Sequence, residues 1–145
     1  LSEMNRHTFF HFAGECAYTA TFMENWLHRL VGAKIGRDVV MDGVYLMEHD
    51  LITIGSGSCI DQWACLSPHD IDMSQVKMSP LTLGRRCTVG RLSTLHGRDQ
   101  MMDGAKLATF SSPLIGTKLL SGAEWVGYPA VQKRSTADAT KPKSE

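Results

Sequence analysis

Residues 83–131 read LGRRCTVGRLSTLHGRDQMMDGAKLATFSSPLIGTKLLSGAEWVGYPAV, and a step of six runs through them. Leu83, Val89, Leu95, Met101, Leu107, Pro113, Leu119, Trp125 and Val131 fall on that step, and none is charged. The fourth residue after each is small at nearly every unit: Cys87, Ser93, Asp99, Ala105, Ser111, Thr117, Ala123 and Pro129. Side chains alternate across a strand, so an aliphatic and a small residue can share its inward side. Three short strands joined by tight corners then make one triangular coil, with aliphatics stacked on aliphatics from coil to coil. A single unit cannot bury its apolar side, so only stacking makes it stable. A β-sandwich with strands every eight to twelve residues is the competing architecture, and it does not account for the sustained six-step.

The register extends upstream with shifts. Ile54 to Ser58 and Ile60 to Ala64 are two units, and Leu66 opens a third. Before them stand Ile35 with Val39, Met41 with Tyr45, then Met47. Gly36, Gly55, Gly84 and Gly90 follow an aliphatic and are read as freeing the backbone at the bend. The step from Met47 to Ile54 is one residue too long, and the step from Leu66 to Leu83 requires an insertion, placed at 68–81 (PHDIDMSQVKMSPL). Loops carry function more often than scaffolds do.

Residues 17–31 (AYTATFMENWLHRLV) have helical spacing: Phe22, Trp26 and Leu30 lie four apart, with Met23, Leu27 and Val31 beside them, and Gly32 stops the run. This helix is expected to cap the open end of the coil, where unpaired strand edges need covering. The aromatic stretch 7–12 (HTFFHF) is assigned to packing. The chain thus divides into 1–32, an aromatic segment and capping helix; 33–132, the coil with its insertion; and 133–145, a polar tail expected to be disordered.

Fifteen basic and fifteen acidic side chains cancel, and no basic block with aromatic interleaving points to nucleic acid. Cys16, Cys59, Cys65 and Cys87 form no Cys-x-x-Cys pair, so they are read as reduced, mostly buried thiols of a cytoplasmic protein. His11, Glu15 and Glu24 interrupt the apolar N-terminal part, which argues against a signal peptide or spanning helix. The first residue is Leu1, which suggests a piece of a longer protein, and membrane association is expected only through such a parent.

The runs IGRDVVMDG, DLITIGSGSCID and LTLGRRCTVG resemble the hexapeptide-repeat acyltransferases, and WVGYPA resembles their closing G-x-P-A. The order WLHRLVGAKIG, MEHDLITIG, a His-containing loop and LTLGRRCTVG further resembles the repeat domains of poly-lysine-synthetase-like, nonribosomal-peptide-synthetase-related proteins. The resemblance covers about residues 22–132. It implies an all-β fold, a left-handed parallel β-helix of hexapeptide repeats with an N-terminal helix. It also implies a homotrimer or three similar domains packed as one, and an acyl donor, acyl-CoA or acyl-phosphopantetheine, lying between neighbouring coils. The acceptor would be a small-molecule hydroxyl or amine or a carrier protein, with a histidine as general base and no metal.

By the same resemblance His69 takes the place of the base. A hydroxyl is a poor nucleophile until its proton is removed, and imidazole can take a proton near neutral pH. Asp70 or Asp72 is expected to orient the ring. The family often has His-Pro, whereas here Pro68 precedes His69. Trp125, Gly127 and Pro129 match the closing motif near the nucleotide part of the donor. Lys118, Lys133 and Arg134 can meet its phosphates, and Arg91 and Arg98 lie on outward positions. Trp125 can equally be a core plug. His49, His69 and His96 fall on one side of successive coils, with Glu48 and Asp61 nearby, which opens a zinc alternative. Some proteins of this fold are metal-dependent carbonic anhydrases, but their His-x-x-x-x-His pair is missing here. The remaining alternative is a trimerising scaffold without catalysis, to which the inward Asp99 and Pro113 lend some weight.

Overall fold

The computed structural model of the chain describes residues 22–72 and 75–133. The aromatic stretch 7–12, Cys16, the start of the helix at 17 and the tail from Arg134 lie outside the described residues.

Helix α1 (Phe22–Val31) is followed by short strands that visit three sheets in rotation. The first sheet holds β1 (Lys34–Ile35), β4 (Ile52–Ile54), β9 (Leu81–Leu83), β12 (Gln100–Met101) and β14 (Lys118–Leu119). The second holds β2 (Val40–Met41), β5 (Cys59–Ile60), β10 (Thr88–Val89), β13 (Lys106–Leu107) and β15 (Glu124–Gly127), ended by β16 (Ala130–Gln132). The third holds β3 (Tyr45–Leu46), β6 (Cys65–Ser67) and β11 (Thr94–His96). Within the three sheets every pairing is parallel except β15 with β16. The result is a three-sided stack of coils.

Register makes the core. Ile54, Leu83, Met101 and Leu119 form one column, Met41, Ile60, Val89 and Leu107 the second, and Leu46, Leu66 and Leu95 the third. All are buried. The small positions sit at the corners and tie coil to coil. Ser58 Oγ donates to the Gly84 carbonyl and accepts from the Cys87 amide. Ser93 Oγ does the same for Ala108 and Ser111. Asp99 is fully buried because its two oxygens accept the amides of His96 (2.8 Å) and Thr117 (2.9 Å). Pro113 is buried too, but it has no N–H to donate, and the third sheet stops below it.

The glycines act for a different reason from the one their sequence position suggests. Gly36, Gly55, Gly84 and Gly90 are absent from the left-handed backbone positions. A Cβ at each would lie 2.4–2.5 Å from an atom of the next coil. Left-handed residues come two places later, and they form vertical rows: Asp38, Gly57, Arg86, Gly104 and Gly122 at one corner, and Gly43, Trp63, Leu92 and Phe110 at the next.

In the first coil the inward residues are Val44 and Leu46, with Tyr45 half-buried and Met47 exposed. The step from Met41 to Leu46 is one shorter than that from Ile60 to Leu66, so the six-step count slips there. The extra length is used at Glu48, which has a left-handed backbone, and in the 3₁₀ turn His49–Leu51.

Helix α1 packs on β1, β2 and that 3₁₀ turn. Its Phe22, Trp26 and Leu30 stripe faces outward, at 82%, 55% and 64% exposure, while Glu24 is buried. The first coil has no coil before it, so its backbone groups need polar partners. Glu24 accepts the Val44 amide, Asn25 donates to the Val39 carbonyl, and Arg29 donates to the carbonyls of Ile35 and Gly36. The inward helix face is polar because the surface that it covers is polar. No described helix is long and apolar enough to cross a membrane.

At the other end β15 and β16 form a hairpin through Tyr128 and a cis Pro129, with Gly127 paired to Ala130. The chain reverses over the last coil, which puts Val131 outside, 63% exposed.

Candidate active site

The insertion holds an antiparallel hairpin, β7 (His69–Asp72) and β8 (Gln75–Met78), raised beside the third sheet. Ser67 and Pro68 are buried at its root. Ser67 Oγ donates to the His69 carbonyl, and the Ser79 amide donates to the Pro68 carbonyl. Gly97 belongs to the same joint, since a Cβ there would lie 2.3 Å from the Pro68 carbonyl oxygen.

His69 is the first residue of the arm. Its Nδ1 lies 3.0 Å from both carboxylate oxygens of Glu48, and both side chains are about three-quarters covered. Nδ1–H donating to a carboxylate fixes the tautomer and leaves the Nε2 lone pair as a proton acceptor. Asp70 points away from this pair, 3.9 Å from Arg98 in a partly exposed ion pair, because adjacent strand residues face opposite ways. Asp72 stands at the end of β7, its backbone in register with Gln75. Glu48 enters the sequence reading only as a neighbour of a possible metal site. The signal that marks it is the overlong step before Ile54, which builds the corner that turns Glu48 toward the arm.

Among the described residues, His28, His49 and His96 make other contacts. His28 Nδ1 lies 3.0 Å from His49 Nε2, with the rings stacked at 5.1 Å. His96 Nε2 lies 3.3 Å from Ser112 Oγ. Among the described residues no three His, Cys, Asp or Glu side chains gather as a metal set. Asp61 lies 4.0 Å from Arg91. Burial, then the His49 charge, lowers His28 to a pKa of about 4. The folded state therefore favours neutral His28, and the stability that it contributes is complete above about pH 6.5 and lost as pH falls toward about 4. Amide protection of α1, corrected for intrinsic exchange, is expected to decline through that window. Protection that stays level across it would contradict this account.

Three cysteines are described: Cys87 is buried, Cys65 half-buried and Cys59 exposed, all as free thiols. Cys59 and Cys65 alternate with the inward Ile60 and Leu66, which puts them on the outer surface. Burial and the Glu48 carboxylate push the Cys65 thiol up, away from a reactive thiolate.

Trp125, Gly127, Pro129 and Lys133 all belong to the closing hairpin and its exit. Trp125 continues the Leu107 column and packs on the core. Its Nε1 is buried without a hydrogen-bond partner. Lys133 is 3.1 Å from Glu124, whereas Lys118 is exposed on the first sheet. The hairpin reaches the third face through Ser112: the Ser112 amide donates to the Gly127 carbonyl, and its carbonyl accepts from Ala130. The sequence gives no reason to select Ser112, which precedes the proline at which the repeat fails.

No family model matches the chain. In sequence it is 24% identical over 103 residues to the delta-poly-L-ornithine synthetase of Acinetobacter baumannii. The match takes in 71% of the chain but spans about 8% of that much longer protein. In structure it is similar to a hexapeptide-repeat containing acetyltransferase from Vibrio cholerae, with a TM-score of 0.67 and 11% identity over 90% of this chain and 89% of that one. It is also similar to a variant of AntD, an N-acyltransferase from Bacillus cereus with dTDP and coenzyme A bound, at a TM-score of 0.52 and 13% identity. That match covers 81% of this chain and 91% of the other. What the chain shares with these transferases is the hexapeptide-repeat fold, and its sequence relation runs to a poly-amino-acid synthetase.

Proposed function

We propose that the chain is an acyltransferase of the hexapeptide-repeat type, wound as a left-handed β-helix and working as a homotrimer. It would move an acyl group from CoA or carrier-bound phosphopantetheine to a hydroxyl or amine. The observation that carries this reading is His69 held through Nδ1 by Glu48, with Nε2 open, on an arm above a coil of this fold. The acceptor's proton goes to Nε2 as its oxygen or nitrogen attacks the thioester carbonyl. The tetrahedral intermediate collapses, the C–S bond breaks, and the departing thiolate takes the proton from Nε2. Glu48 would orient the ring, with Asp70 and Asp72 shaping the arm. Trp125, Gly127, Pro129 and Lys118 would receive the donor, with Lys133 and Arg134 near its phosphates.

The trimer is proposed because the arm carries an apolar surface. Met78 pairs with His69, Val76 pairs with Ile71, and Ile71, Val76 and Met78 are 71%, 60% and 63% exposed. A neighbouring copy covers such a face. With charges balanced and no basic patch, nucleic acid is not an expected partner, and the setting proposed is cytoplasmic.

Acetyl-CoA and acetyl-phosphopantetheine are each expected to raise the melting temperature, since a ligand that binds only the folded state stabilises it. Thiol release from either is expected to accelerate when L-ornithine or L-lysine is added. Neither a shift nor thiol release with any of these would leave the scaffold reading in its place, and a shift with zinc alone would favour the hydratase.

A further inference from the structure

The arm has two unlike faces. β7 and β8 are antiparallel, with His69 opposite Met78 and Ile71 opposite Val76. Directly opposed residues of such a pair point the same way, and so do alternate residues along a strand. His69, Ile71, Val76 and Met78 therefore share one face. Asp70 and Lys77 oppose each other on the other face, where Asp70 meets Arg98 at 3.9 Å. Register thus sets the imidazole at the head of an apolar strip and turns these two charges away from it.

At the root of the strip the ring is tied through Nδ1 to Glu48, which leaves Nε2 open. Beyond it stand Met78, Ile71 and Val76, all well exposed. Two residues of strand separate His69 from Ile71, about 7 Å, which is the reach of a hexanoyl chain. An acceptor held on Nε2 must have the thioester carbonyl carbon about 3–3.5 Å from its attacking atom. That carbon is the head of the acyl group, so the acyl tail begins at the root of the strip. The ammonium or carboxylate of a charged acceptor gains nothing from Met78, Ile71 and Val76. An aliphatic tail gains by every methylene that it removes from water. Met78 is unbranched and flexible, and it can close on tails of different shape.

We propose that the His69 face of the arm binds the aliphatic tail of the acyl donor, so that the preferred donor is a thioester of a medium-chain fatty acid in place of acetate. Met78, Ile71 and Val76 are its specificity-determining residues. The proposal rests on the acyl-transfer reading and names the substrate class of that site. A neighbouring copy laid over the same face closes the strip into a slot, with the tail running between arm and neighbour.

Two measurements test it. With L-ornithine as acceptor, kcat/KM is expected to rise about three- to four-fold per added methylene from acetyl-CoA to hexanoyl-CoA. Ile71→Thr keeps a β-branched strand residue but makes the strip polar, and it is expected to flatten that rise. Binding is read without turnover by calorimetry with two unreactive thioethers, S-hexyl-CoA and S-ethyl-CoA, and the hexyl compound is expected to bind the more tightly in wild type. Acetyl-CoA turning over as well as hexanoyl-CoA, or the two thioethers binding equally, would overturn the role of the strip and leave His69 as base. Ile71→Thr that alters the sedimentation of the assembly but leaves the chain-length preference intact would give the face to the neighbouring copy alone and overturn it too. No turnover of any thioester would overturn the acyl-transfer reading, whereas tighter binding of S-hexyl-CoA that is lost in Ile71→Thr would still assign the strip to an aliphatic tail.

Discussion

Replacing His69 with alanine is expected to leave the coil folded and to slow acyl transfer about a hundred-fold or more. The expectation of intact folding comes from position. His69 stands on the arm, outside the three buried columns, and its contacts are with Glu48 and the arm's root. The loss of rate comes from chemistry: without a base at this point, the acceptor must attack while still protonated. Glu48→Gln probes the same pair from the other side. It keeps the shape but gives up the charge and presents an amide N–H to the ring, so both tautomers become accessible. A loss of about ten-fold or more is expected. Thiol release from acetyl-CoA with L-ornithine, alongside circular dichroism of each variant, reads both effects. His69→Ala turning over at the wild-type rate would remove His69 from the mechanism.

The largest effect on stability is expected from Gly55→Ala, at about 3 kcal/mol or more. A Cβ at Gly55 would lie 2.4 Å from both the carbonyl carbon and the oxygen of Gly84. These are backbone atoms of the next coil, locked by the Gly55 amide donating to the Leu83 carbonyl and the Gly84 amide donating to the Met101 carbonyl. No side chain can swing away to make room, so the two coils must part and the ladder between them must lengthen. Gly122→Ala supplies the contrast. Nothing lies within 4 Å of its Cβ, but its φ of +67° is left-handed. The expected cost is the local strain of about 1–2 kcal/mol. Urea unfolding of the two variants separates close approach from backbone strain, and equal losses would contradict the distinction.

The parts of the fold that follow from local pattern were readable in advance. A six-step of aliphatics with small residues between them specifies which residues enter the core, because a stack of equivalent strands repeats one environment at every level. The reading failed where the environment was not a repeat. The first coil has no coil before it, so helix α1 meets bare backbone groups and turns Glu24 inward in place of the Trp26 stripe. At the far end the hairpin reverses the chain and expels Val131.

The site divides along the same line. His69 could be named from its sequence, because imidazole chemistry and a register-breaking insertion are both visible there. Its partner could not. Glu48 lies 21 residues away and reaches His69 because an overlong corner in the first coil and an arm in the second meet in space. Asp70, adjacent in the chain, is carried to the opposite side by strand alternation and meets Arg98 instead. Periodicity in the sequence determined what is inside this protein, since burial depends on repeated local geometry. Which polar groups touch was decided only by the tertiary structure, since contacts between coils depend on the lengths of the corners that stack them.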